Sequence, residues 1–160
     1  MYRDMTPWVI FITLITAGVL WWALGCSTSW TFISNDSAPR LTGLGLDRAT
    51  VACLNWAWMQ NHRREVAGGV MWGANGELIC SKLTLGTRDS IVYDIGAGWL
   101  IHFHTHTSRG RMSATDRELV RDLDPLGRPS YMRDSSGVIW VYECFPGEHD
   151  YYCEERILPQ

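Results

Sequence analysis

The chain has 160 residues, of which 46% are hydrophobic and 19% are charged, and its formal net charge is −3. This length fits one compact domain with an additional N-terminal segment, and the composition is that of a globular protein. The sequence contains no basic tract, so attraction to a nucleic-acid backbone is not expected to drive function. The chain has nine tryptophans; Trp21 and Trp22 suit a membrane interface, whereas five others in patterned segments are expected in the core. These five are Trp56, Trp58, Trp72, Trp99 and Trp140.

The N-terminus has the pattern of a targeting or anchoring segment. Residues 8–25 form a run of 18 residues without a charged side chain. This run reaches the lower limit for crossing a hydrocarbon core about 30 Å thick. Arg3 is expected to stay in the cytoplasm, which places the chain after Gly25 outside. We therefore expect a membrane-anchored protein that faces the periplasm or the cell exterior.

The apolar run ends in the sequence ALGC at residues 23–26, which resembles a bacterial lipobox. In such signal peptides the Cys, here Cys26, becomes the lipidated first residue of the mature chain. Ala23 departs from the pattern, which usually has Leu at that position. The alternative is an uncleaved signal anchor in which Cys26 is incidental. Residues 1–26 are thus a signal peptide or anchor, residues 27–45 a linker and residues 46–160 a domain.

Four cysteines follow Cys26, an even number that suits two disulfides in an oxidising compartment. They are Cys53, Cys80, Cys144 and Cys153. Of the three possible pairings we prefer Cys144 with Cys153, which closes a short C-terminal loop and leaves Cys53 for Cys80. The alternatives are four buried thiols or a four-cysteine zinc site, and the zinc site is disfavoured because no pair has the short C-x-x-C spacing.

The first predicted elements of the exported part are a helix and two strands. Residues 30–45 are rich in turn-forming residues and predict a linker of little structure. Asp47 is expected to cap a helix that runs to about His62. A strand over residues 65–72 follows, and Asn75-Gly76 signals a hairpin turn. The second strand is expected to pass through Leu78, Cys80 and Leu83.

After a looser stretch, residues 99–106 predict a third strand and residues 113–123 a helix that ends before Pro125. Two closing strands, over residues 130–132 and 138–142, flank a turn. The order of elements is helix, three strands, helix and two strands. This order predicts an α+β fold with a mixed sheet flanked by helices.

Three histidines alternate in the segment 102–106, which reads HFHTH. Because side chains alternate along a strand, His102, His104 and His106 are expected on one side of the sheet. Two histidines two residues apart can both reach one zinc ion at about 2.1 Å. The alternative is an exposed edge strand with scattered histidines.

Two carboxylates are candidates to complete a metal site. Asp116 lies ten residues after His106, in the sequence SATD that begins at Ser113. By itself this is an ordinary helix-capping pattern, but the short loop allows the first helical turn to place the carboxylate beside the imidazoles. Glu65 precedes an otherwise apolar strand and is the second candidate. The alternative interpretation is that Glu65 is a solvated residue at a strand end, next to Arg63 and Arg64.

Together these residues resemble the signature of the JAB/JAMM (MPN+) metallopeptidase family, in particular its small bacterial branch. That signature is a Glu on the first strand, then His-Ser/Thr-His, then Ser-x-x-Asp after a short loop. Glu65, residues 104–106 and residues 113–116 match it, and the order of elements matches over about residues 47–143. Thr107 stands where the family usually has Pro, and the loop before Ser113 is one residue shorter than usual. These departures concern the shape of the loop more than the ligands.

The resemblance implies a JAB-type layer fold, similar to that of cytidine deaminases, and one zinc ion held by His104, His106 and Asp116. It further implies that Glu65 is the general base and that Ser113 donates a hydrogen bond to the oxyanion. His102 is additional to the signature and is expected to line the site or contact a ligand. The implied activity is hydrolysis of a peptide or isopeptide bond in the cell envelope. The alternatives are an inactive binding or assembly module of the same fold and a disulfide-stabilised structural lipoprotein.

Overall fold

A computed structural model describes residues 31–123, 128–146 and 151–159 of the chain. The predicted anchor, Cys26 and the predicted helix end at Pro125 lie outside these ranges. Within them, no helix is both long enough and apolar enough to span a bilayer.

In the described ranges the strands are β1 (Thr31–Ile33), β2 (Val66–Trp72), β3 (Leu78–Cys80), β4 (Leu83–Leu85), β5 (Trp99–Thr105), β6 (Ser130–Arg133), β7 (Ile139–Pro146) and β8 (Tyr151–Ile157). The helices are α1 (Leu46–Gln60) and α2 (Ala114–Glu118), and α2 continues as a wider helical turn over Leu119–Leu123. A short 3-10 turn, Asn35–Ser37, follows β1.

The strands form one mixed sheet in the order β1-β4-β2-β5-β6-β7-β8, and β3 pairs with β2 alongside β4. Neighbouring strands are antiparallel except β5 and β6, which are parallel and are connected through α2. The predicted α+β fold with a mixed sheet is therefore confirmed. In a βαβ unit the helix begins near the carboxyl end of the first strand, so the start of α2 lies close to the end of β5.

The two faces of the sheet carry different chemistry. Phe103, Tyr131 and Val141 are neighbours across β5, β6 and β7, and they join Leu54 and Trp56 of α1 in the main core. The opposite face carries the alternate residues of the same strands. A smaller apolar cluster lies on this second face, where α2 packs. Its buried members are Met112, Val120, Met132, Tyr142 and Cys144.

The predicted linker before the domain is wrong in part, because residues 31–33 form β1. These three residues are β-branched or aromatic, and they pair with residues 83–85 at the edge of the sheet. The predicted helix cap is also wrong. The N-cap is Gly45, two residues earlier, and the Asp47 carboxylate instead accepts a hydrogen bond of 2.6 Å from the Tyr131 hydroxyl.

The predicted second strand is divided into β3 and β4 by a break at Ser81 and Lys82. The Ser81 side chain bridges this break, because its hydroxyl accepts a hydrogen bond of 2.8 Å from the Gly69 backbone. The closing strands extend further than predicted, and β8 was not predicted. Among the tryptophans, Trp56 is buried as expected, whereas Trp72 is 57% exposed at the end of β2, so its prediction as core is wrong. Trp58, Trp99 and Trp140 are partly buried.

Both disulfides of the preferred pairing are present. Cys53–Cys80 joins α1 to β3, and Cys144–Cys153 joins two residues that lie directly opposite each other on β7 and β8. The first disulfide therefore ties the main helix to the sheet, and the second closes the C-terminal hairpin.

Gly69 allows an aromatic ring to lie against β2 on the face that carries the histidines. A Cβ atom at this position would be 2.3 Å from Cδ2 of the Trp99 ring. Any side chain at residue 69 therefore requires the ring to move. Gly98 offers a contrast, because the nearest atom to an added Cβ there is Cε of Met71 at 3.8 Å.

We expect Gly69→Ala to lower the free energy of unfolding by about 1–3 kcal/mol, because overpacking displaces the Trp99 ring. Gly98→Ala is the matched control and should change it by no more than about 0.5 kcal/mol. Urea denaturation with both disulfides intact measures the difference. Equal stability of the two variants would contradict this account of Gly69.

Candidate metal centre

His104 and His106 lie at the end of a central strand, since β5 is flanked by β2 and β6. The alternative of an exposed edge strand is therefore wrong. His104 is 1% exposed, and its Nε2 atom is 3.1 Å from Nε2 of His106. His106 follows the last residue of β5, and its backbone nitrogen donates a hydrogen bond of 2.9 Å to Arg133. This bond extends the pairing with β6 and fixes the position of the second imidazole.

Asp116 belongs to a capping box at the start of α2. The Ser113 hydroxyl accepts a hydrogen bond of 3.1 Å from the Asp116 backbone, and the Asp116 carboxylate accepts one of 2.7 Å from the Ser113 backbone. The same carboxylate reaches both imidazoles. Its Oδ1 is 3.3 Å from Nε2 of His104, and its Oδ2 is 3.3 Å from Nε2 of His106. The Asp116 side chain therefore caps α2 and contacts both imidazoles at the same time.

His104, His106 and Asp116 form a group that can hold a metal ion. One ligand atom from each lies within 4.8 Å of the others. Ligands at 2.0–2.1 Å from a tetrahedral zinc ion are separated by about 3.3 Å, close to the nitrogen–oxygen and nitrogen–nitrogen separations of this group. Two imidazoles and one carboxylate also match the donor set of catalytic zinc sites, which leave a fourth position open.

Glu65 is buried beside this group and is not a solvated strand end. Its backbone continues the pairing of β2 with the chain after β4, through hydrogen bonds with Thr87 and Gly86. The residue is 8% exposed, and its Oε1 is 4.0 Å from Nε2 of His106. Burial raises the pKa of the Glu65 carboxyl, although the charges of His106 and His104 oppose this shift.

The pKa values of the Asp116 and Glu65 carboxyls are shifted in opposite directions. Burial favours a higher pKa for Asp116, but hydrogen bonds from His104 and His106 outweigh it and hold the pKa well below the usual range. Burial lowers the pKa of His106, and the hydrogen bond and charge of Asp116 more than reverse this, so that the pKa is raised. Asp116 is therefore ionised at neutral pH, whereas Glu65 takes up a proton more readily than an exposed glutamate.

His102 lies on the same face of the sheet but outside the three-residue group. It is fully buried, and its Nδ1 is 3.1 Å from the Tyr93 hydroxyl. The Tyr93 ring is centred 6.2 Å from the His102 ring and 6.4 Å from the His104 ring. Tyr93 comes from the irregular stretch before β5, where no pattern in the sequence singles it out.

A cleft of about 410 Å³ opens beside the three ligands. One wall is the turn at residues 87–90, which the Thr87 hydroxyl stabilises through hydrogen bonds with Ser90. The Thr107 hydroxyl donates a hydrogen bond of 2.7 Å to the Arg88 carbonyl and so fastens this wall to the end of β5. The lining residues are Glu65, Asp89, Ser90, Ile91, His106, Thr107, Ser108, Ser113, Thr115 and Asp116. The cleft is thus mainly polar and rich in hydroxyl groups.

A larger cavity of about 780 Å³ lies between α1 and the β6–β7 turn. Arg133 in its wall donates a hydrogen bond to the Asn55 side chain. The Arg133 guanidinium also lies over the Trp58 ring, with Cζ 4.6 Å from the ring centre. None of the three ligands lines it. The group that can hold a metal ion therefore adjoins the smaller cleft, which His106 and Asp116 line.

Asp134 holds the loop between His106 and Ser113 against the β6–β7 turn. Its carboxylate accepts hydrogen bonds from the backbone of Gly110 at 3.2 Å and of Ser136 at 2.8 Å. Burial favours a higher pKa for this carboxyl, but its hydrogen bonds, led by that from the Ser136 hydroxyl, lower the pKa. The stabilisation that Asp134 provides is therefore present above about pH 4, the ordinary range for Asp, and is lost as the pH falls through its lowered pKa.

The structure thus brings five predicted site residues together, and His102 lies next to them. The five are Glu65, His104, His106, Ser113 and Asp116. The sequence matches no family model, and neither curated proteins nor solved structures give a match.

We expect the chain to bind about one divalent transition-metal ion per molecule and the double variant His104→Ala, His106→Ala to bind none. His62→Ala, which changes an exposed histidine on the chain, is the matched control. Protons compete with the metal for the imidazoles, so affinity should weaken as the pH falls through the raised pKa of His106. Elemental analysis and metal titration test this. Equal metal content in the parent and the double variant would contradict the site.

We expect Asp134→Ala to lower the free energy of unfolding at pH 7 by about 1–3 kcal/mol, because it leaves backbone donors unsatisfied. The gap between parent and variant should begin to narrow below about pH 4, where Asp134 of the unfolded chain takes up a proton, and should close as the pH falls through the lowered pKa of the folded carboxylate. Denaturation at several pH values measures this gap. A gap that does not change from pH 7 to pH 3 would show that the charge of Asp134 contributes nothing.

Proposed function

We propose that this chain is a zinc-dependent hydrolase of the JAB/JAMM type that cleaves a peptide or isopeptide bond. The observation that carries the proposal is the convergence of two imidazoles and one carboxylate, with the buried Glu65 beside them. The separations between ligand atoms, 3.1 Å and 3.3 Å, suit a small tetrahedral ion. The order of elements supports the same family, because a helix precedes the Glu65 strand and α2 follows the His strand.

In the proposed mechanism His104, His106 and Asp116 would hold the metal ion, and Glu65 acts on the attacking water. Zinc, when bound, supplies Lewis acidity, which can lower the pKa of water from 15.7 toward about 7. Glu65 accepts the proton of the attacking water and passes it to the leaving amine. Its raised pKa suits both steps, since a general base and acid works best when its pKa lies near the operating pH.

In the proposed mechanism, Ser113 stabilises the negative charge that develops on the substrate. Its hydroxyl oxygen accepts a hydrogen bond from the Asp116 backbone, which leaves the hydroxyl proton available. This proton can be donated to the oxyanion of the tetrahedral intermediate. The cap therefore orients the catalytic hydroxyl as well as the ligand helix.

We propose further that the domain acts outside the cytoplasm, tethered by its N-terminal segment. The two disulfides support an oxidising compartment. Substrates would then be peptides, proteins or cross-linked peptides of the cell envelope.

To test the proposal, the metal-loaded chain is incubated with a mixed library of peptide and isopeptide substrates. Mass spectrometry then detects the cleavage products. We expect Glu65→Gln to retain the metal and to lose activity by about 10²–10⁴-fold, the usual contribution of a general base. Ser113→Ala should retain the metal and lose about 10²–10³-fold. Glu118→Gln, on the exposed side of α2, is the matched control and should behave like the parent.

Undiminished turnover in Glu65→Gln would refute the assigned mechanism. A metal-loaded parent that cleaves no member of the library would favour an inactive binding or assembly module instead.

A further inference from the structure

Glu155 on β8 contacts the segment that carries Asp116. Its side chain is 7% exposed and faces the same side of the sheet as the metal centre. Its Oε1 accepts a hydrogen bond of 3.1 Å from the Met112 backbone. Its Oε2 is 3.2 Å from Nε of Arg111 and 3.4 Å from Nη1 of Arg117. The carboxylate thus binds the chain both before Ser113 and immediately after Asp116.

The segment needs such external support. The α-helical part of α2 spans five residues, which is too short to be stable alone. The loop before it contains Gly110 with a φ angle of 137°, a conformation that side-chain-bearing residues rarely adopt. Met112 packs into the smaller apolar cluster, but apolar contacts do not fix direction. The hydrogen bond from Met112 does, because it is directional and its acceptor, the Glu155 side chain, is 7% exposed. The ion pairs with the more exposed Arg111 and Arg117 add to this hold on the segment.

The position of Glu155 depends in turn on the hairpin that carries it. β8 is at the edge of the sheet, and its strand partner is β7. The Cys144–Cys153 disulfide joins the two strands two residues away from Glu155 and on the same face. A shift of β8 by one residue would turn Glu155 to the opposite face. The disulfide therefore secures the register in which Glu155 meets Met112 and Arg117.

We infer that Glu155 is the positioning residue for Asp116, and that the Cys144–Cys153 disulfide keeps it in place, so that full metal affinity requires the oxidised hairpin. This inference rests on the proposed metal centre. A dithiol that reduces the disulfide breaks the S–S bond, leaves two thiols at residues 144 and 153, and is itself converted to a disulfide. Reduction would therefore weaken the site, and exchange of the two thiols with an oxidised disulfide partner, which is itself reduced to a dithiol, would restore it.

The experiment uses the full chain and two readouts. Zinc affinity is measured by competition with a chromophoric chelator, and amide hydrogen exchange of residues 107–118 is measured in the metal-free protein. Glu155→Ala should weaken zinc binding by about 10–100-fold, the usual effect of residues that support metal ligands. It should also accelerate exchange in the loop and in α2. Glu155→Gln keeps one acceptor for Met112 but loses the charge, so we expect an intermediate effect.

Matched controls separate this role from a general loss of stability. Glu154→Ala alters the adjacent exposed acid, whose side chain is on the other face of the strand, and should leave both readouts within about twofold of the parent. Cys144→Ala with Cys153→Ala should reproduce the direction of Glu155→Ala. Cys53→Ala with Cys80→Ala removes the other disulfide and should leave zinc affinity of the folded protein unchanged.

The inference and the proposed function fail in different ways. Unchanged exchange of residues 107–118 in both Glu155 variants overturns the positioning role, whether or not zinc binds. Tight zinc binding by Glu155→Ala overturns it as well and leaves the proposed hydrolase intact. Absence of zinc binding by the parent chain refutes the proposed metal centre, and with it the link between the hairpin and the metal.

Discussion

The Asp116 carboxylate has to satisfy two sets of donors at once. Within α2 it completes the cap by accepting a hydrogen bond from the Ser113 backbone, and toward the sheet it faces the Nε2 atoms of His104 and His106. Because one planar group serves both sets, the helix cannot rotate or slide without losing either its cap or its contact with the imidazoles. The start of α2 is therefore fixed relative to the end of β5, and the cleft takes its shape from this constraint.

The parallel pairing of β5 and β6 explains how a short chain brings these groups together. The connection between the two strands has to cross one face of the sheet, and this connection contains α2. The other face is filled by α1 and the main core. The first face thus provides most of the apolar packing, whereas the second combines the smaller apolar cluster with polar groups that would destabilise a core. Asp134 and Glu155 then accept hydrogen bonds from the backbone of Gly110 and Met112, in the loop that leads to α2.

Local patterns in the sequence predicted much of this arrangement. The alternation of His102, His104 and His106 predicted a shared face, and the capping pattern at Ser113 predicted the start of α2, because both depend on residues that are neighbours along the chain. The even number of later cysteines likewise gave the two disulfides. Thr31–Ile33 and Tyr151–Ile157 were missed, since short or charged segments become strands only when a distant partner pairs with them. Tyr93 and Glu155 were missed for the same reason. Their contacts join residues that are far apart in sequence or lie in irregular segments, and no local spacing encodes them.

The edge position of β8 has a consequence for solubility. An unpaired strand edge is a template for association with other chains, and proteins usually protect such edges with charges or with very short strands. β8 carries Glu154, Glu155 and Arg156 in succession, and the opposite edge is formed by β1, which is three residues long. Among the described residues, the two ends of this strand order thus carry features that disfavour strand addition, and the charges that make β8 hard to recognise in the sequence are one of them.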